Sequence, residues 1–500
     1  MTPSRAVSRR SVLAGAAGTA ALAALSPRLA RATAATGTPT GIRTSPAAMG
    51  HVGDRPYPFR PIGAAAGPGE PGFMPFEHLV IVMMENHSFD TYLGMLPQRG
   101  QPKADGFTFD GNGRPLNSSP VPGRNAGRIR SFRMTSACQG GVSQSWNATH
   151  QQIDGGRMDG WIGSADGDAN DTPMGYYDEP DLPFYYSLAK TFTLANRWFC
   201  STPCQTYPNR RFLVAGTASG DISTDTSSIT TDAPAAGTIL DRMHAGNVSW
   251  VNYFTDLPGT AVILDNFEKY APSGHYQPVA KFFADCAAGT LPSVSFVDPE
   301  FGVTSDVGGS LNDALAPYTG ALPGFVGANL SSAGGDEESP ENVLYGQAFV
   351  ASVVNAVMNG RAWDKTLMIW TYDEHGGYYD HVPPPVALAP DDVPPQLSPG
   401  DAPGTYAQYG VRVPAVVVSP WSRKNDVTNV VHDHTSILAT IEKKWNLPSM
   451  TRRDHHAATV EDFVDFSQAV FLDPPALAPA QNPASSLTTC STADYHEQPV

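Results

Sequence analysis

His78-Leu-Val-Ile-Val-Met-Met84, stopped at once by Glu85-Asn86, is the stretch on which the reading of the fold turns. A near-continuous, partly β-branched apolar run of this length is a strand buried on both faces, which arises where helices cover a parallel sheet from two sides. The same grammar returns at Thr366-Leu-Met-Ile-Trp-Thr-Tyr372, which runs straight into Asp373-Glu374. Further strands are expected at 248–254, 293–297 and 413–419, each followed by polar or proline-containing turns. Between them lie helical patterns. Residues 342–358 place Val343, Ala348, Val350, Val354 and Val357 near helical spacing and stop at Asn359-Gly360, and His434–Trp445 forms a second helix. Strands alternating with helices give an α/β fold, a mostly parallel sheet sandwiched by helices. The Gly-, Ser-, Thr-, Asp- and Ala-rich stretches 216–245 and 300–340 read as long loop insertions over the sheet's edge.

Composition limits the function. Of 500 residues, 47 are Gly and 45 Pro and only 16% are charged, which suits many turns and ordered loops and excludes coiled-coil and collagen classes. Lys and Arg number 32 against 48 Asp and Glu, a net charge of −16 and the wrong sign for gripping nucleic acid through its phosphates or for settling on an anionic membrane.

Residues 1–34 read as an export signal. Arg5, Arg9 and Arg10 precede an uncharged run over 12–25, too short for a membrane span, and small-residue sites follow at Ala30-Arg31-Ala32 and Ala32-Thr33-Ala34. Ser8-Arg9-Arg10-Ser11-Val12-Leu13 resembles a twin-arginine signal, so a secreted or cell-surface protein is expected, with no transmembrane segment in the mature chain. Residues 35–75 form a Gly/Pro/Ala-rich N-terminal strap, 76–471 the catalytic domain and 472–500 an extended C-terminal tail. The five cysteines Cys138, Cys200, Cys204, Cys286 and Cys490 allow two disulfides and one thiol in an oxidising compartment, without fixing the pairing.

Open α/β sheets bind ligands beyond the carboxyl ends of their strands. Glu85-Asn86 and Asp373-Glu374 stand there, three carboxylates and an amide that form a hard-donor set for a metal ion; each pair alone would equally serve as a cap or turn. A third piece is Cys200-Ser-Thr-Pro-Cys-Gln-Thr-Tyr-Pro-Asn-Arg-Arg-Phe-Leu-Val-Ala-Gly216, in which Pro208 fits a first helical turn and Gly216 a helix end. Thr206 then sits at a helix N-terminus, where free N–H groups and the helix dipole favour an alkoxide or a phosphoryl oxygen.

Glu85-Asn-His-Ser-Phe-Asp-Thr-Tyr-Leu-Gly94, Thr206-Tyr-Pro-Asn-Arg210 and Tyr372-Asp-Glu-His-Gly-Gly-Tyr-Tyr-Asp-His-Val-Pro-Pro-Pro385 together resemble the bacterial phosphoesterase family of phosphatidylcholine-preferring phospholipases C and acid phosphatases. Trp146-x3-His150, Gly155-Gly-Arg-Met-Asp-Gly160, Gly410-Val-Arg-Val-Pro-Ala415 through Ser419-Pro420 and Asp433-His-Thr-Ser436 extend the likeness over about residues 76–465. The resemblance implies an alkaline phosphatase-like core and one divalent or transition metal ion, of Ca, Mg, Mn or Fe type, held by Glu85, Asn86, Thr206, Asp373 and Glu374. It makes Thr206 the nucleophile, leading to a phospho-threonine intermediate. Among the remaining motif residues, His150, Asn209 and His381 are candidates to contact phosphoryl oxygens or to protonate the leaving alkoxide; His375 and His434 rank below them as supporting groups. The substrate implied is a phospholipid or a small phosphoester.

The sequence also departs from the family. Gln144 and Glu338 stand where the family usually shows histidine, and His87 and Thr91 replace the usual Arg and His of the first motif. Losing cationic groups weakens phosphate binding, and Glu338 repels a dianionic monoester more than a diester. The leading expectation is therefore a phospholipase C-like phosphodiesterase that cleaves a glycerophospholipid of the phosphatidylcholine type to diacylglycerol and a phospho-headgroup. The alternatives are an acid phosphatase on monoesters and a non-catalytic metal- or phospho-headgroup-binding surface protein. Any membrane contact would be peripheral and made by loops of the catalytic domain.

Overall fold

The structure, a computed structural model, describes residues 55–124, 127–165, 170–224, 234–301, 335–339 and 341–482. The export signal, the start of the strap, Cys490 and most of the 300–340 insertion lie outside the described residues. Eight strands build the central sheet: β1 (His78–Met84), β2 (Thr193–Ala195), β3 (Trp250–Phe254), β4 (Tyr276–Pro278), β5 (Val294–Val297), β6 (Thr366–Tyr372), β7 (Ala415–Val418) and β8 (Val427–Thr428). Their order across the sheet is β8-β2-β7-β6-β1-β5-β3-β4. Every adjacent pair is parallel except the two that involve β7, which runs antiparallel to both β6 and β2. The sheet is thus mixed and mostly parallel, as the alternation of strands and helices implies.

The central strands carry the site. β1 and β6 pair in parallel from His78 beside Thr366 to Met84 beside Tyr372, so Glu85 and Asp373 leave the sheet side by side. All seven residues of β6 are buried, which requires cover on both faces. Burying such side chains contributes roughly 1.5–3 kcal/mol each, so this pairing is a rigid base for the loops beyond it.

Five helices matter to the site: α1 (Phe89–Leu93), α2 (Trp146–Ile153), α3 (Thr206–Ala215), α4 (Val343–Met358) and α5 (His434–Trp445). α3 starts where Pro208 tolerates the first turn and ends at Gly216, whose φ of 71° provides the left-handed stop. α3 and α5 pack against each other. The Asp433 cap of α5 accepts from Ser201 Oγ at 2.8 Å and meets Arg453 at 3.3 Å, which fixes the helix to the loop before Thr206. At its other end Asn446 donates to the carbonyls of Tyr57 and Arg60, at 3.0 and 2.7 Å, so residues 55–75 lie across the end of α5. Within the 216–245 insertion, Ile239–Ala245 is helical, started by a reciprocal Thr238–Asp241 capping box.

The cysteines depart from the two-bridge arrangement. Cys138 is disulfide-bonded, whereas Cys200, Cys204 and Cys286 are buried free thiols. Among the described residues, no helix is long and apolar enough to cross a membrane.

Candidate active site

Glu85 and Asn86 follow β1, and Asp373 and Glu374 follow β6; Asn86, Asp373 and Glu374 are fully buried. The backbone N–H of Asn86 donates to Asp373 Oδ1 at 3.3 Å, and its side-chain Nδ2 donates to Glu85 Oε2 at 3.3 Å. Asn86 holds a left-handed φ of 68°, and the loop after β6 passes so near that a Cβ on Gly376, itself at φ 67°, would lie 1.9 Å from Asn86 O. Asn86 therefore bridges the two strand ends, joined to Asp373 through its backbone and to Glu85 through its side chain, with Glu374 next in the chain after Asp373.

Thr206 opens α3, and Arg210 sits one helical turn later on the same face. Its guanidinium lies 3.0 Å from Asp373 Oδ2, 3.2 Å from Glu85 Oε1 and 3.8 Å from Asp298, the residue that follows β5. It also donates to Met83 O at 3.3 Å. Arg210 thus ties the helix that begins with Thr206 to the ends of three adjacent strands. Asn209 is spent locally: its amide donates to the carbonyls of Thr202, Cys204 and Gln205, at 3.2, 2.8 and 3.1 Å, and its Oδ1 accepts from Thr202 N at 3.1 Å. It shapes the loop that presents Thr206 and has no amide proton left for a substrate.

Burial raises the pKa of Glu85 well above the usual range, with the Asp373 charge adding to it and Arg210 opposing. Glu374 is likewise raised by burial and then by Asp373. Asn86 Oδ1 and Glu374 Oε1 are buried without any hydrogen-bond donor. Orphaned oxygens among carboxylates are costly unless a cation meets them, so the residues present fit a hard divalent ion.

The histidines separate into groups. His150 donates Nδ1–H to Trp146 O at 2.8 Å, because a carbonyl can only accept; Nε2 carries the lone pair and is buried without a partner. Burial lowers its pKa. Trp146, on the same helix, packs with Cys204, Phe212 and Tyr406, which sets α2 against the loop and helix of Thr206. A Cβ on Gly404 would lie 2.5 Å from His150 Nε2, so glycine leaves that nitrogen room.

His381 is placed differently. Its Nδ1 lies 2.6 Å from Asp90 Oδ2 and its Nε2 3.4 Å from Asp105 Oδ1, while Arg412 bonds Asp380 at 3.0 Å and Asp90 at 3.3 Å. Both ring nitrogens face carboxylates, and the ring clamps the loop after β6 onto α1 instead of meeting the Glu85–Asp373 cluster. His375 Nε2 donates to Gln152 Oε1 at 2.7 Å, and His434 Nε2 donates to Asp373 O at 2.7 Å. Burial lowers them to about 3 and about 4, so both are neutral supports. His87, in place of a cationic residue, is stacked between Tyr92 and Tyr378 at 4.3 and 4.5 Å; burial holds it near about 3.

Arg210, Asp298 and Asp336 have no role in the sequence reading, and Glu338 figures there only as a departure from the family. Arg210 stands within a quoted motif, four residues from Thr206, and that spacing is its signal. Asp298 repeats the acid-after-strand grammar. Asp336 and Glu338 reach the same cluster: one oxygen of each and one of Glu85 lie within 4.8 Å of one another. Between them, buried Glu337 accepts from Tyr92, Tyr185 and Tyr372, at 2.8, 2.6 and 2.5 Å.

The model of the Phosphoesterase family matches residues 76–448. Non-specific phospholipase C6 of Arabidopsis thaliana is 32% identical over 82% of this chain and 76% of its own length. The non-hemolytic phospholipase C of Burkholderia pseudomallei is 29% identical over 74% of this chain and 55% of its own. Among solved structures, a protein in the alkaline phosphatase superfamily from Vibrio parahaemolyticus overlaps 73% of this chain and 78% of its own at 11% identity, with a TM-score of 0.32. The chain, with its paired strand-end acids and helix-borne threonine, belongs to the Phosphoesterase family and is a phosphoric ester hydrolase of phospholipase C-like type.

Proposed function

We propose that the chain is an exported phosphodiesterase that hydrolyses glycerophospholipids of the phosphatidylcholine type to diacylglycerol and a phospho-headgroup, with Thr206 as nucleophile. The observation that carries the reading is the tie made by Arg210, which turns the Thr206 face of α3 toward Glu85 and Asp373. The relatives named phospholipases C support the substrate class.

Glu85, Asn86, Asp373 and Glu374, with the Thr206 hydroxyl, would hold the metal. Bound there, a divalent cation supplies charge that favours the alkoxide form of the threonine and the phosphoryl oxygens. The chain's own groups do the rest. The amides at the start of α3 would donate to a phosphoryl oxygen, and Asn209 keeps their loop in shape. Thr206 Oγ forms a bond to phosphorus as the diacylglycerol oxygen leaves with a proton; water then cleaves the phospho-threonine ester and restores the hydroxyl. His150, whose Nε2 has no hydrogen-bond partner, would carry these protons. His381, engaged on both sides, positions the loop after β6.

Net negative charge and the carboxylate-rich site favour a singly charged diester over a dianionic monoester. The test is turnover of phosphatidylcholine vesicles, an aryl phosphodiester and an aryl phosphomonoester by the purified chain, with and without chelator, beside Thr206→Ala. Diester turnover that needs both Thr206 and metal is expected. Turnover of the monoester alone would assign the chain to acid phosphatases instead, and no turnover with metal bound would make it a binding protein.

A further inference from the structure

Exposed apolar side chains gather on the long loop that leaves the site after β6. Of the eleven large hydrophobic residues exposed among the described residues, four, Val386, Leu388, Val393 and Leu397, fall in this one segment, and Val386 is 86% exposed. Pro383, Pro394 and Pro399 are exposed beside them. Scattered apolar residues on a surface need no explanation, but a run of them on one loop marks a place that meets something apolar.

The loop is built to keep these side chains outside. Val386 pairs with Gln408 in an antiparallel bridge, and the N–H of buried Ala387 donates to Ala407 O at 2.9 Å, so Val386 and Leu388 project to one side with Ala387 turned inward between them. The short helix Arg452–His456 holds the next stretch: Arg452 N donates to Pro390 O at 2.9 Å, and the Arg453 guanidinium donates to Leu388 O. Gln396 N donates to Gly220 O at 2.8 Å. A backbone pinned at these points cannot fold its apolar groups back onto the core, and it loses little conformational freedom when they are covered.

The same anchors join the loop to the site. Arg453 also donates to Ser201 O at 3.0 Å, in the loop that leads to Thr206. Farther along, Ala402 O accepts from Trp146 Nε1 at 2.8 Å, and Gly404 lies against His150 Nε2. A surface that covers Val386 and Leu388 is thereby brought beside both the nucleophile's loop and the helix of His150. Charge selects among surfaces. Asp391 and Asp392 stand between Leu388 and Val393, the Asp392 side chain is 93% exposed, and its partner Arg452 at 2.8 Å cancels only one of them. With a net charge of −16 on the whole chain, an anionic bilayer is repelled, whereas a phosphatidylcholine bilayer presents trimethylammonium cations outermost and meets these acids without penalty.

We propose that residues 383–399 are an interfacial docking loop, whose Val386, Leu388, Val393 and Leu397 enter the outer layer of a zwitterionic phospholipid bilayer and set the Thr206 site against its headgroups. The proposal rests on the lipid-hydrolase reading above and names the surface through which that substrate is reached.

The test is sedimentation of the full chain with phosphatidylcholine vesicles and, in parallel, phosphatidylglycerol vesicles, in chelator so that no lipid is consumed. Binding to phosphatidylcholine in preference to phosphatidylglycerol is expected. Val386→Ser with Leu388→Ser should lower the partition coefficient by at least about tenfold and vesicle turnover with it, while turnover of a soluble aryl phosphodiester and the circular dichroism stay unchanged. Val386→Cys, labelled with an environment-sensitive dye that the buried thiols do not take up, should shift its emission to the blue on phosphatidylcholine vesicles. Vesicle binding undiminished in the double variant, no shift of the dye, or tighter binding to phosphatidylglycerol would overturn the proposal. Aryl phosphodiester turnover without any vesicle binding would overturn it too and leave a phosphodiesterase of soluble substrates. Vesicles bound through the loop but never hydrolysed in the presence of metal would uphold the surface and overturn the proposed function.

Discussion

Replacing Arg210 by methionine should be the most informative single change to the framework of the site. The guanidinium is buried and meets Asp373 at 3.0 Å, Glu85 at 3.2 Å and Asp298 at 3.8 Å. Methionine keeps most of the volume and removes the charge, leaving carboxylates that burial already disfavours. Breaking a buried ion pair by deleting one partner costs about 3–5 kcal/mol. At roughly 2 °C per kcal/mol for a large domain, the thermal midpoint in chelator should fall by about 6–10 °C. A divalent cation should restore more of the loss in Arg210→Met than it adds to the unmodified chain, because there it supplies the charge that the guanidinium no longer gives; saturation at a hundredfold Kd is worth about 2.7 kcal/mol. Differential scanning calorimetry in chelator and in excess Mn2+, at one scan rate, reads both effects. An unchanged midpoint in chelator, or equal stabilisation of the two proteins by metal, would refute the reasoning.

Three further outcomes are expected. Thr206→Ala should reduce diester turnover by more than about a thousandfold while calorimetry still finds bound metal, since four other ligands remain; residual turnover within tenfold would remove Thr206 from the chemistry. Burial alone would lower His381, but Asp90 and Asp105 more than offset it and hold it up to about 10. Its folded value exceeds the ordinary value of about 6.5, so its stabilising effect is complete below pH of about 6.5 and is lost as the pH rises toward about 10. The stability gap between the unmodified chain and His381→Gln should therefore close over that window in urea titrations, and a gap independent of pH would contradict the clamp. Gly376→Ala should destabilise the chain and weaken metal binding, because the added Cβ would meet Asn86 O at 1.9 Å; normal metal affinity in that variant would show that the loop has room to move.

Legibility in the sequence followed the physics of each segment. β1, β6 and α5 have the bounds their apolar runs announce, because a strand or helix buried on every side admits no other pattern. The strand expected from residue 248 starts at Trp250, because Val248 N is already bonded to Met243 O in the turn that closes the preceding helix. The helix Ile239–Ala245 is carried by a Thr-x-x-Asp capping signal inside a stretch whose composition reads as loop. β7 runs antiparallel although its sequence is as apolar as that of a parallel strand, and a residue pattern on one strand does not encode the direction of its neighbours. At the site, the strand-end acids and Thr206 were legible because each stands at the end of a regular element. Arg210 and Asp336 were not, since their partners are distant in the chain and only the fold brings them together, and Glu338 was legible as a departure from the family without its closeness to Glu85. His381 shows the opposite case: a motif histidine whose two nitrogens are taken up by Asp90 and Asp105, acids that no local spacing links to it.

The central claim is that Thr206 attacks phosphorus, and the stereochemistry at phosphorus tests it most directly. Each in-line displacement inverts the centre, so attack by Thr206 followed by water gives two inversions. Hydrolysis of a diester made chiral at phosphorus with sulfur and oxygen isotopes should proceed with overall retention, read by phosphorus nuclear magnetic resonance of the product; overall inversion would show that water attacks the ester directly and would contradict the account.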